Sequence, residues 1–540
     1  MGKFNDTKQK SVPTEINNMG EKAYALSDKE KLAALVLTTF IDDSYYLTKG
    51  EILSSINELS SKVGKEFCAK LALYARHTAN MRSSSHYLSS CVLKDNNSLV
   101  SPWLENFLFK SINRPDDMAE ILSSYLKMNG LDCKSVKRIP NSMKRAFRRY
   151  LEKMNPYQID KYKMNNREIS LVDLVNIFHP VSQKSNEEAY RRLMKGESLD
   201  GTYDSKILEK EMSASCTSDM DEIEKSEAKH DAIESVLKSG MPIMNLLRNL
   251  CNIVKYASDL VDEAVKQLTD EKKILNSRLL PFRFASAYEK VLELKNDSES
   301  KIKFESDMSV ADKVLNGIEK AMTIACQNVP ELDGNCAILI DHSGSVRGDW
   351  GGNSLISAFS SVTTAKIGNL FASIMAFKQK DVYIGMFGDK LISPTFSRNM
   401  GLLEFNDKSY REGSSCGGAT ENGLYEFLRN AINEKKRIDN FIVFSDMEIG
   451  DGGEGGWDMT SQVEEHFHDL FKKFRNLNPN CLTVCVNINN RSGTSVFNPK
   501  LNILNVSGWS NAIFDMISMY QSGKVKTLVE EIEKIPLPSV

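Results

Sequence analysis

The chain has 540 residues, of which 41% are hydrophobic and 26% are charged, and its formal net charge is −3. This composition is typical of a folded globular protein, and the length exceeds what a single hydrophobic core normally organises. The small net charge excludes a chain whose whole surface attracts nucleic acid or an anionic membrane, so a partner of that kind has to be recognised by a local segment.

The sequence also shows no pattern typical of a membrane span or a signal peptide. No segment reaches the roughly 18–20 uninterrupted apolar residues of a membrane span, and the polar N-terminus lacks the apolar core of a signal peptide. The ten cysteines and seven histidines do not follow the spacing of a zinc site. We therefore expect a cytoplasmic protein with reduced thiols and no membrane contact.

Residues 1–27 form a polar N-terminal segment, after which a helical pattern runs to residue 328. Ser27 and Asn141 stand where helix caps are expected. Four segments place apolar residues at i, i+3, i+4 and i+7, the spacing of amphipathic helices: "DKEKLAALVLTTFI", "GKEFCAKLALYARHTA", "NSMKRAFRRYLEKM" and "MPIMNLLRNLCNIV". Helices joined by short polar segments predict an all-α helical-repeat domain over residues 28–328.

The segment 131–167 of this domain is strongly basic. It holds eleven Lys or Arg against three acids, a local net charge of +8, so the rest of the chain sums to −11. Such concentration favours phosphate recognition, although a solvated face without a ligand is the alternative. The basic residues spaced to share one helix face are Lys144, Arg145, Arg148 and Arg149. The interleaved aromatic rings that can stack on RNA nucleobases are Tyr150, Tyr157 and Tyr162.

After residue 328 the periodicity changes from helical to mixed. Four short apolar runs with little polar alternation are typical of parallel strands covered on both faces: "CAILID", "DVYIGMFGD", "NFIVFSD" and "LTVCVNIN". Helical stretches such as "TAKIGNLFASIMAFK" separate them. Residues 329–540 are therefore predicted to form a doubly wound α/β domain, in which ligands bind at the carboxyl ends of the strands.

The first of these strands runs into the motif DHSGS, which brings one carboxylate and two hydroxyls into a single turn. Mg²⁺ prefers six oxygen ligands and usually keeps several waters among them. Further oxygens are expected from "GGATENG" and "VFSDME", which follow other elements of the domain. The sequence therefore predicts one divalent cation, Mg²⁺, held by Asp341, Ser343, Ser345, Thr420 and Asp446.

Two other interpretations of this motif stay open. Ser343 and Ser345 can act only as a cap for the following helix, although this leaves Thr420 and Asp446 without a role. An aspartyl-nucleophile phosphatase needs a second carboxylate two residues after the first, and Ser343 occupies that position. No P-loop pattern occurs in the sequence.

The five predicted ligands resemble the metal-ion-dependent adhesion site of von Willebrand factor A domains, and the likeness covers residues 336–508. DHSGS matches at every defining position, and Asp446 follows a strand as the family requires. Thr420 departs from the pattern because Ala419 separates it from a pair of glycines. A site with only two carboxylates keeps open coordination positions, so it can accept an acidic group from a protein partner.

Taken whole, the chain resembles the Ro ribonucleoprotein family, whose helical part is the TROVE module and whose second part is a von Willebrand A domain. The segments that carry the likeness are "NNMGEKAYALSDKEKL", "SYYLTKGE", "LALYARHTANMR", "KYKMNNREISLVDLVNIFHP", "MPIMNLLRNL", "SRLLPFRFASAY" and "NILNVSGWSNAIFDMI". The resemblance implies a ring of HEAT-like helical repeats closed by the A domain. We expect a monomeric protein that is not an enzyme.

The resemblance also implies two kinds of RNA partner. Family members bind small structured Y RNAs on an outer basic surface and the single-stranded 3′ ends of misfolded noncoding RNAs in a central hole, which serves ribonucleoprotein assembly and RNA quality control. An exoribonuclease or another protein is the expected partner of the metal site. The expected RNA-binding residues are Lys134, Lys137, Arg138, Lys144, Arg145, Arg148, Arg149, Lys161, Lys163, Arg167 and His179.

Two functions from other classes compete with RNA binding. One is a metal-dependent protein-binding scaffold that acts through its A domain without RNA. The other is a metal-dependent nuclease, which would cleave RNA when Mg²⁺ is added. Only an RNA-binding protein that contacts phosphates should lose RNA affinity steeply as salt rises.

Overall fold

The structure is a computed structural model that describes residues 13–17, 21–39, 49–94, 101–132, 138–165, 167–197, 222–277, 279, 281–297, 308–327, 329–348, 354–355, 362–416, 421–449, 467–489, 493–498, 501–508, 510 and 512–537. Contacts divide the chain into two compact units. An α/β unit comprises Met1–Val63 and Asn328–Ile532, and a helical unit comprises Gly64–Gln327 and Glu533–Val540. This grouping differs from the predicted domains in residues 28–63, which were expected in the helical domain, and in residues 533–540, which were expected in the α/β domain.

The helical unit is a succession of helices, as the apolar periodicity predicts. Neighbouring helices pack on each other, for example Lys65–His77 on Ser83–Leu93 and Phe282–Asn296 on Met308–Ala325. The other helices are Leu104–Ser111, Pro115–Met128, Asn141–Lys153, Pro156–Lys161, Leu171–Phe178, Glu187–Lys195, Glu222–Ser239, Ile243–Tyr256, Val261–Leu268 and Glu271–Ser277, with a 3₁₀ turn at Ser258–Leu260. None of the helices that the structure describes is long and apolar enough to cross a membrane.

One detail of the predicted helix starts is wrong. Asn141 was expected to cap its helix, but the helix begins at Asn141 itself and Pro140 occupies the capping position without a side-chain bond. Pro140 has an extended backbone (φ −58°, ψ 142°), so it stands outside the helix and Asn141 is the first helical residue.

A buried network of ion pairs links helices of this unit. The side chain of Asp117 is fully buried and contacts Arg76 at 2.7 Å and Arg82 at 2.8 Å. Glu120, on the same helix, contacts His86 at 2.7 Å. Arg76 and Arg82 lie in the segment "LALYARHTANMR", so part of that motif serves to hold helices together.

The α/β unit is built on strands β1 (Glu15–Ile16), β2 (Lys22–Ala25), β3 (Cys336–Asp341), β4 (Val382–Phe387), β5 (Leu391–Ile392), β6 (Asn440–Ser445), β7 (Leu482–Asn487), β8 (Thr494–Ser495) and β9 (Ile503–Ser507). The main sheet has the order β5-β4-β3-β6-β7-β9. All neighbours in it are parallel except the edge strand β5, which is antiparallel to β4. The predicted α/β organisation is confirmed, and each of the four apolar runs contains one central strand.

Helices cover both faces of this sheet, which explains the unbroken apolar runs. Every residue of β3 is buried. The helix Thr364–Lys378 packs on β3 and β6, and a cluster on the other face includes Leu339, Phe427 and Phe467. The other helices of the unit are Asp28–Leu37, Lys49–Val63, Gly344–Arg347, Leu402–Glu412, Glu421–Asn433, Phe467–Leu477, Ala512–Gln521 and Leu528–Glu533.

The N-terminal hairpin is part of the α/β unit. Strands β1 and β2 pair with β8 in a small antiparallel sheet. The side-chain amide of Asn17 donates to the carbonyl of Ile449 at 2.7 Å, and Glu21 is only 1% exposed. Ser27 and Glu30 then form a capping box that starts the helix Asp28–Leu37, so the predicted cap at Ser27 is confirmed.

Candidate functional site

The candidate metal centre lies where two neighbouring parallel strands end. In the register of β3 and β6, Ile340 is opposite Phe444. Asp341 therefore leaves the sheet next to Ser445, with Asp446 one residue further along. Because parallel strands end at the same edge of a sheet, both aspartates meet there, as the sequence predicts.

Hydrogen bonds connect four of the predicted ligands. The Ser345 hydroxyl donates to Asp446 Oδ2 at 2.7 Å, and the Ser343 and Ser345 hydroxyl oxygens lie 3.2 Å apart. The backbone N–H of Ser343 donates to Asp341 Oδ1 at 2.9 Å. All four side chains are buried. Thr420, the fifth predicted ligand, lies outside the described residues.

The geometry at Ser343 bears on the helix-cap alternative. Ser343 occupies the N-cap position of the short helix Gly344–Arg347, but its side chain makes no capping hydrogen bond. Ser345 lies inside that helix, and its hydroxyl points to Asp446. Capping therefore does not account for where either hydroxyl points.

The electrostatics of this cluster disfavour two ionised carboxylates that have no partner. Burial raises the pKa of Asp341 well above its usual range, and the nearby charge of Asp446 raises it further. Two buried carboxylates destabilise each other unless a proton or a cation lies between them. Within the described part of the chain, no group of three or more His, Cys, Asp or Glu is placed to hold a metal ion. A cation here would thus rest on two carboxylates and on hydroxyls, a hard-oxygen set that fits Mg²⁺.

Sequence reasoning missed two residues that support this cluster. The Ser445 hydroxyl donates to Asp341 Oδ2 at 2.6 Å and accepts the backbone N–H of Met447 at 3.0 Å. Met447 has a left-handed backbone (φ 65°) although it is not a glycine, so the loop after β6 is held in a costly conformation. The signal for Ser445 was its position directly before Asp446 at a strand end.

A buried histidine also adjoins the cluster and was not singled out in the sequence. Arg347 donates to His342 Nδ1 at 2.8 Å, so the imidazole proton lies on Nε2, which is 3.1 Å from Asn369 Oδ1. Burial, together with the charge of Arg347, lowers the pKa of His342 to about 3. The ring is thus a neutral structural element. Gly413 packs so closely on it that a Cβ at that position would lie 2.1 Å from Nδ1.

The candidate nucleic-acid interface is built on the helix Asn141–Lys153. Its inner face buries Met143, Ala146, Phe147 and Leu151. Of the four predicted basic residues, Arg145 and Arg148 are exposed on the other side of the helix, while Lys144 and Arg149 are half-buried at the edges of the inner face. The predicted basic helix face therefore exists.

Several of these basic residues form ion pairs with carboxylates. Arg145 Nε lies 2.6 Å from a Glu105 oxygen, and Arg149 lies 3.6 Å from the other oxygen of the same group. Arg148 pairs with Glu152 one helical turn later at 3.3 Å. The local charge is therefore partly balanced by acids, one of which comes from a different helix.

The other predicted RNA-binding residues occupy varied surroundings. Lys161 donates to the Tyr157 hydroxyl at 3.0 Å, and Lys163 pairs with Asp160 at 2.9 Å. His179 is exposed and ends the helix Leu171–Phe178 in a left-handed conformation.

Arg138 and Arg167 are the remaining predicted RNA-binding residues that the structure describes. Arg138 is exposed, while its carbonyl accepts the Tyr125 hydroxyl at 3.2 Å. Arg167 contacts Glu120 at 2.8 Å and so belongs to the ion-pair network. Lys134 and Lys137 lie outside the described residues.

Comparison with known proteins gives a family for residues 4–326. Residues 4–222 and 188–326 match the TROVE domain, and together these ranges cover residues 4–326, more than half of the 540. RNA-binding protein RO60 from Caenorhabditis elegans is 23% identical over 297 residues, which is 54% of this chain and 42% of that protein. Telomerase protein component 1 from Mus musculus is 21% identical over 352 residues, 52% of this chain and 13% of that protein.

The chain thus matches less than half the length of either relative. A solved structure, the Deinococcus radiodurans RO (RSR) protein, aligns with a TM-score of 0.56 at 15% identity and covers 92% of this chain and 100% of that one. At this identity the likeness concerns the fold alone. The TROVE match covers more than half of the chain and identifies the family, and the chain belongs to the Ro ribonucleoprotein family of TROVE-domain proteins.

Proposed function

We propose that this chain is a non-catalytic, cytoplasmic RNA-binding protein that works as a monomer in ribonucleoprotein assembly and in quality control of noncoding RNA. Small structured RNAs of the Y type bind its basic helix face. Single-stranded 3′ ends of misfolded RNAs bind in the central hole that the family resemblance implies. A relative with 23% identity is named as an RNA-binding protein, which supports the RNA part of the proposal.

The observation that carries the proposal is the basic face of Asn141–Lys153. Four basic residues lie on this one helix, with Arg145 and Arg148 exposed and Lys144 and Arg149 half-buried beside its inner face, in a chain whose net charge is −3. Arg145 and Arg148 side chains are 54% and 47% exposed, so a phosphate backbone can reach them. Guanidinium groups suit phosphate because they donate two parallel hydrogen bonds to its oxygens.

The experiment reverses Lys144, Arg145, Arg148 and Arg149 to Glu and measures binding of a fluorescein-labelled RNA hairpin across a series of KCl concentrations. We expect binding to be lost at physiological salt, because four attractive contacts with phosphate become repulsive. Any residual binding should have a salt slope that is smaller by about one unit for each lost contact. Far-UV circular dichroism should show unchanged helix content. Unchanged affinity in the reversed variant would contradict the proposal.

A matched control separates local contact from total charge. Four exposed lysines elsewhere in the helical unit, Lys255, Lys266, Lys272 and Lys290, are reversed to Glu in the control variant. It carries the same change in net charge and should keep most of the RNA affinity. For the second RNA class, a hairpin with a single-stranded 3′ tail should bind more tightly than a blunt one of the same stem.

The α/β unit supplies a second part of the proposal. Asp341, Ser343, Ser345, Asp446 and Thr420 would hold Mg²⁺, and the bound cation would offer an open coordination position to a carboxylate of a protein partner such as an exoribonuclease. The support is the buried cluster of oxygen donors at the ends of β3 and β6. Calorimetry with Mg²⁺ and Mn²⁺ should show saturable binding that Asp341→Ala weakens more than Ser343→Ala does. Without saturable binding to the unsubstituted protein, the metal part is wrong.

A further inference from the structure

Glu105 lies against the basic helix face but belongs to a neighbouring helix, Leu104–Ser111. Its carboxylate faces two different guanidinium groups. One oxygen is 2.6 Å from Arg145 Nε, and the other is 3.6 Å from Arg149 Nη1. A single anionic group thus bridges two arginines one helical turn apart.

The surroundings of Arg149 hold its guanidinium in place. Arg149 Nη1 donates to the Asn106 side-chain oxygen at 3.0 Å, and its central carbon lies 3.9 Å from the centre of the Phe109 ring. The ammonium of Lys153 lies 5.0 Å from the centre of the same ring. The helix Leu104–Ser111 therefore positions one arginine with an amide and a ring, and provides the acid that bridges it to Arg145.

We propose that Arg145 and Arg149 form a subsite for one RNA backbone phosphate, and that Glu105 occupies this subsite as an internal competitor in the free protein. This proposal rests on the RNA-binding function proposed above. A phosphate can use two oxygens to bridge two guanidinium groups in the same way as the carboxylate does.

The competition is weak enough for RNA to win. The Glu105 and Arg145 side chains are 22% and 54% exposed, so solvent screens their attraction. An RNA strand that contacts several arginine and lysine side chains at once also releases condensed counterions, which a single carboxylate cannot do. Glu105 then selects against isolated anions and favours ligands with several phosphates in a row.

The test is Glu105→Gln, which keeps the shape of the side chain and removes its charge. Binding of the labelled RNA hairpin should become tighter by about two- to fivefold at constant salt, the range expected for release of a partly exposed ion pair. The matched control is Asp262→Asn, which also removes one negative charge and frees an exposed cation, Lys313, that lies 2.9 Å away. The control should leave the affinity unchanged.

The same substitution in a protein that lacks both arginines tests whether the effect depends on the subsite. In a protein that carries Arg145→Gln and Arg149→Gln, Glu105→Gln should no longer tighten binding. The proposal is overturned if Glu105→Gln leaves the affinity of the otherwise unsubstituted protein unchanged, or if it has the same effect without the two arginines. If instead the fourfold Glu reversal of the basic face leaves RNA binding intact, the proposed function itself has failed.

Discussion

A single buried carboxylate, Asp117, shows how much one residue contributes to the helical unit. Its side chain has no exposed surface and contacts Arg76 and Arg82. It also accepts the backbone N–H of Arg114 at 3.1 Å at the start of the helix Pro115–Met128. Removal of one partner from a buried ion pair leaves the other charge uncompensated.

We therefore expect Asp117→Asn to lower the stability of this unit by about 3–5 kcal/mol. Native-state hydrogen exchange of Pro115–Met128 amides is the suitable measurement, because a chain with more than one compact unit need not unfold in one step. The control Glu168→Gln removes an exposed pair with Lys127 at 2.7 Å and should change stability by less than about 1 kcal/mol. Equal effects of the two substitutions would show that the buried network adds little.

The same network predicts a loss of stability in acid. Burial alone would raise the pKa of Asp117, but the adjacent His86 and the charges of Arg76 and Arg82 outweigh it and hold the pKa far below its usual range. For Glu120, burial is likewise outweighed by His86 and Arg82, which lower the pKa to about 2. In the unfolded chain, carboxyl groups have a pKa of about 4. Because the unfolded chain then binds more protons, this contribution is present above about pH 5 and is lost as pH falls toward about 2.

Hydrogen exchange of the Pro115–Met128 amides at several pH values measures this contribution. Its decline with acid should be clearly shallower in Asp117→Asn, which has lost one of the two groups. Identical pH profiles for the two proteins would contradict the assignment.

At the residue scale, sequence reasoning finds chemistry that lies within one motif. Asp341, Ser343 and Ser345 lie within five residues of each other, and Asp446 follows an apolar run, so their convergence could be predicted from strand order. Asp117 could not be assigned a role, because its partner Arg76 is 41 positions away and no local pattern joins them. The same limit hid the contact of Glu105 with the basic helix.

At the scale of elements, long periodic segments were predicted well and short edge elements were not. The segment "TAKIGNLFASIMAFK" is the helix Thr364–Lys378 without a residue of difference. Strand β5 has two residues, and β9 interrupts its apolar run with Asn505, so neither carried a usable pattern. The N-terminal hairpin was missed because its stability comes from contacts with distant parts of the chain and hardly from its own sequence.

This hairpin leads to a prediction about the α/β unit. Asn17 donates a buried hydrogen bond to the carbonyl of Ile449, in the loop that follows Asp446. Asn17→Ala removes that donor and should cost about 1–2 kcal/mol. The expected result is faster hydrogen exchange in β2 and β8. Glu15→Ala, at an exposed position of β1, is the control and should leave exchange unchanged. Unaltered exchange in Asn17→Ala would mean that the segment contributes nothing to the fold.

At the scale of the whole molecule, the two candidate sites lie in different compact units. All described candidate RNA-binding residues belong to Gly64–Gln327, and the described candidate metal ligands belong to Asn328–Ile532. In the sequence, the change from helical to mixed apolar periodicity near residue 328 predicts a domain boundary at that point. The grouping of residues 28–63 could not be read in the same way, because an amphipathic helix pattern does not reveal which sheet or helix its apolar face contacts.

The last prediction follows from this separation. RNA affinity of the unsubstituted protein should be the same in EDTA and in Mg²⁺ at equal ionic strength, because arginine and lysine contacts to phosphate need no divalent cation. Asp341→Ala should likewise leave RNA affinity unchanged, since it alters no charge in the helical unit. The measurement is fluorescence anisotropy with a hairpin that folds in KCl alone, which removes the effect of Mg²⁺ on the RNA. If EDTA or Asp341→Ala abolishes binding of this hairpin, the two units share one RNA site and the proposed division of function is wrong.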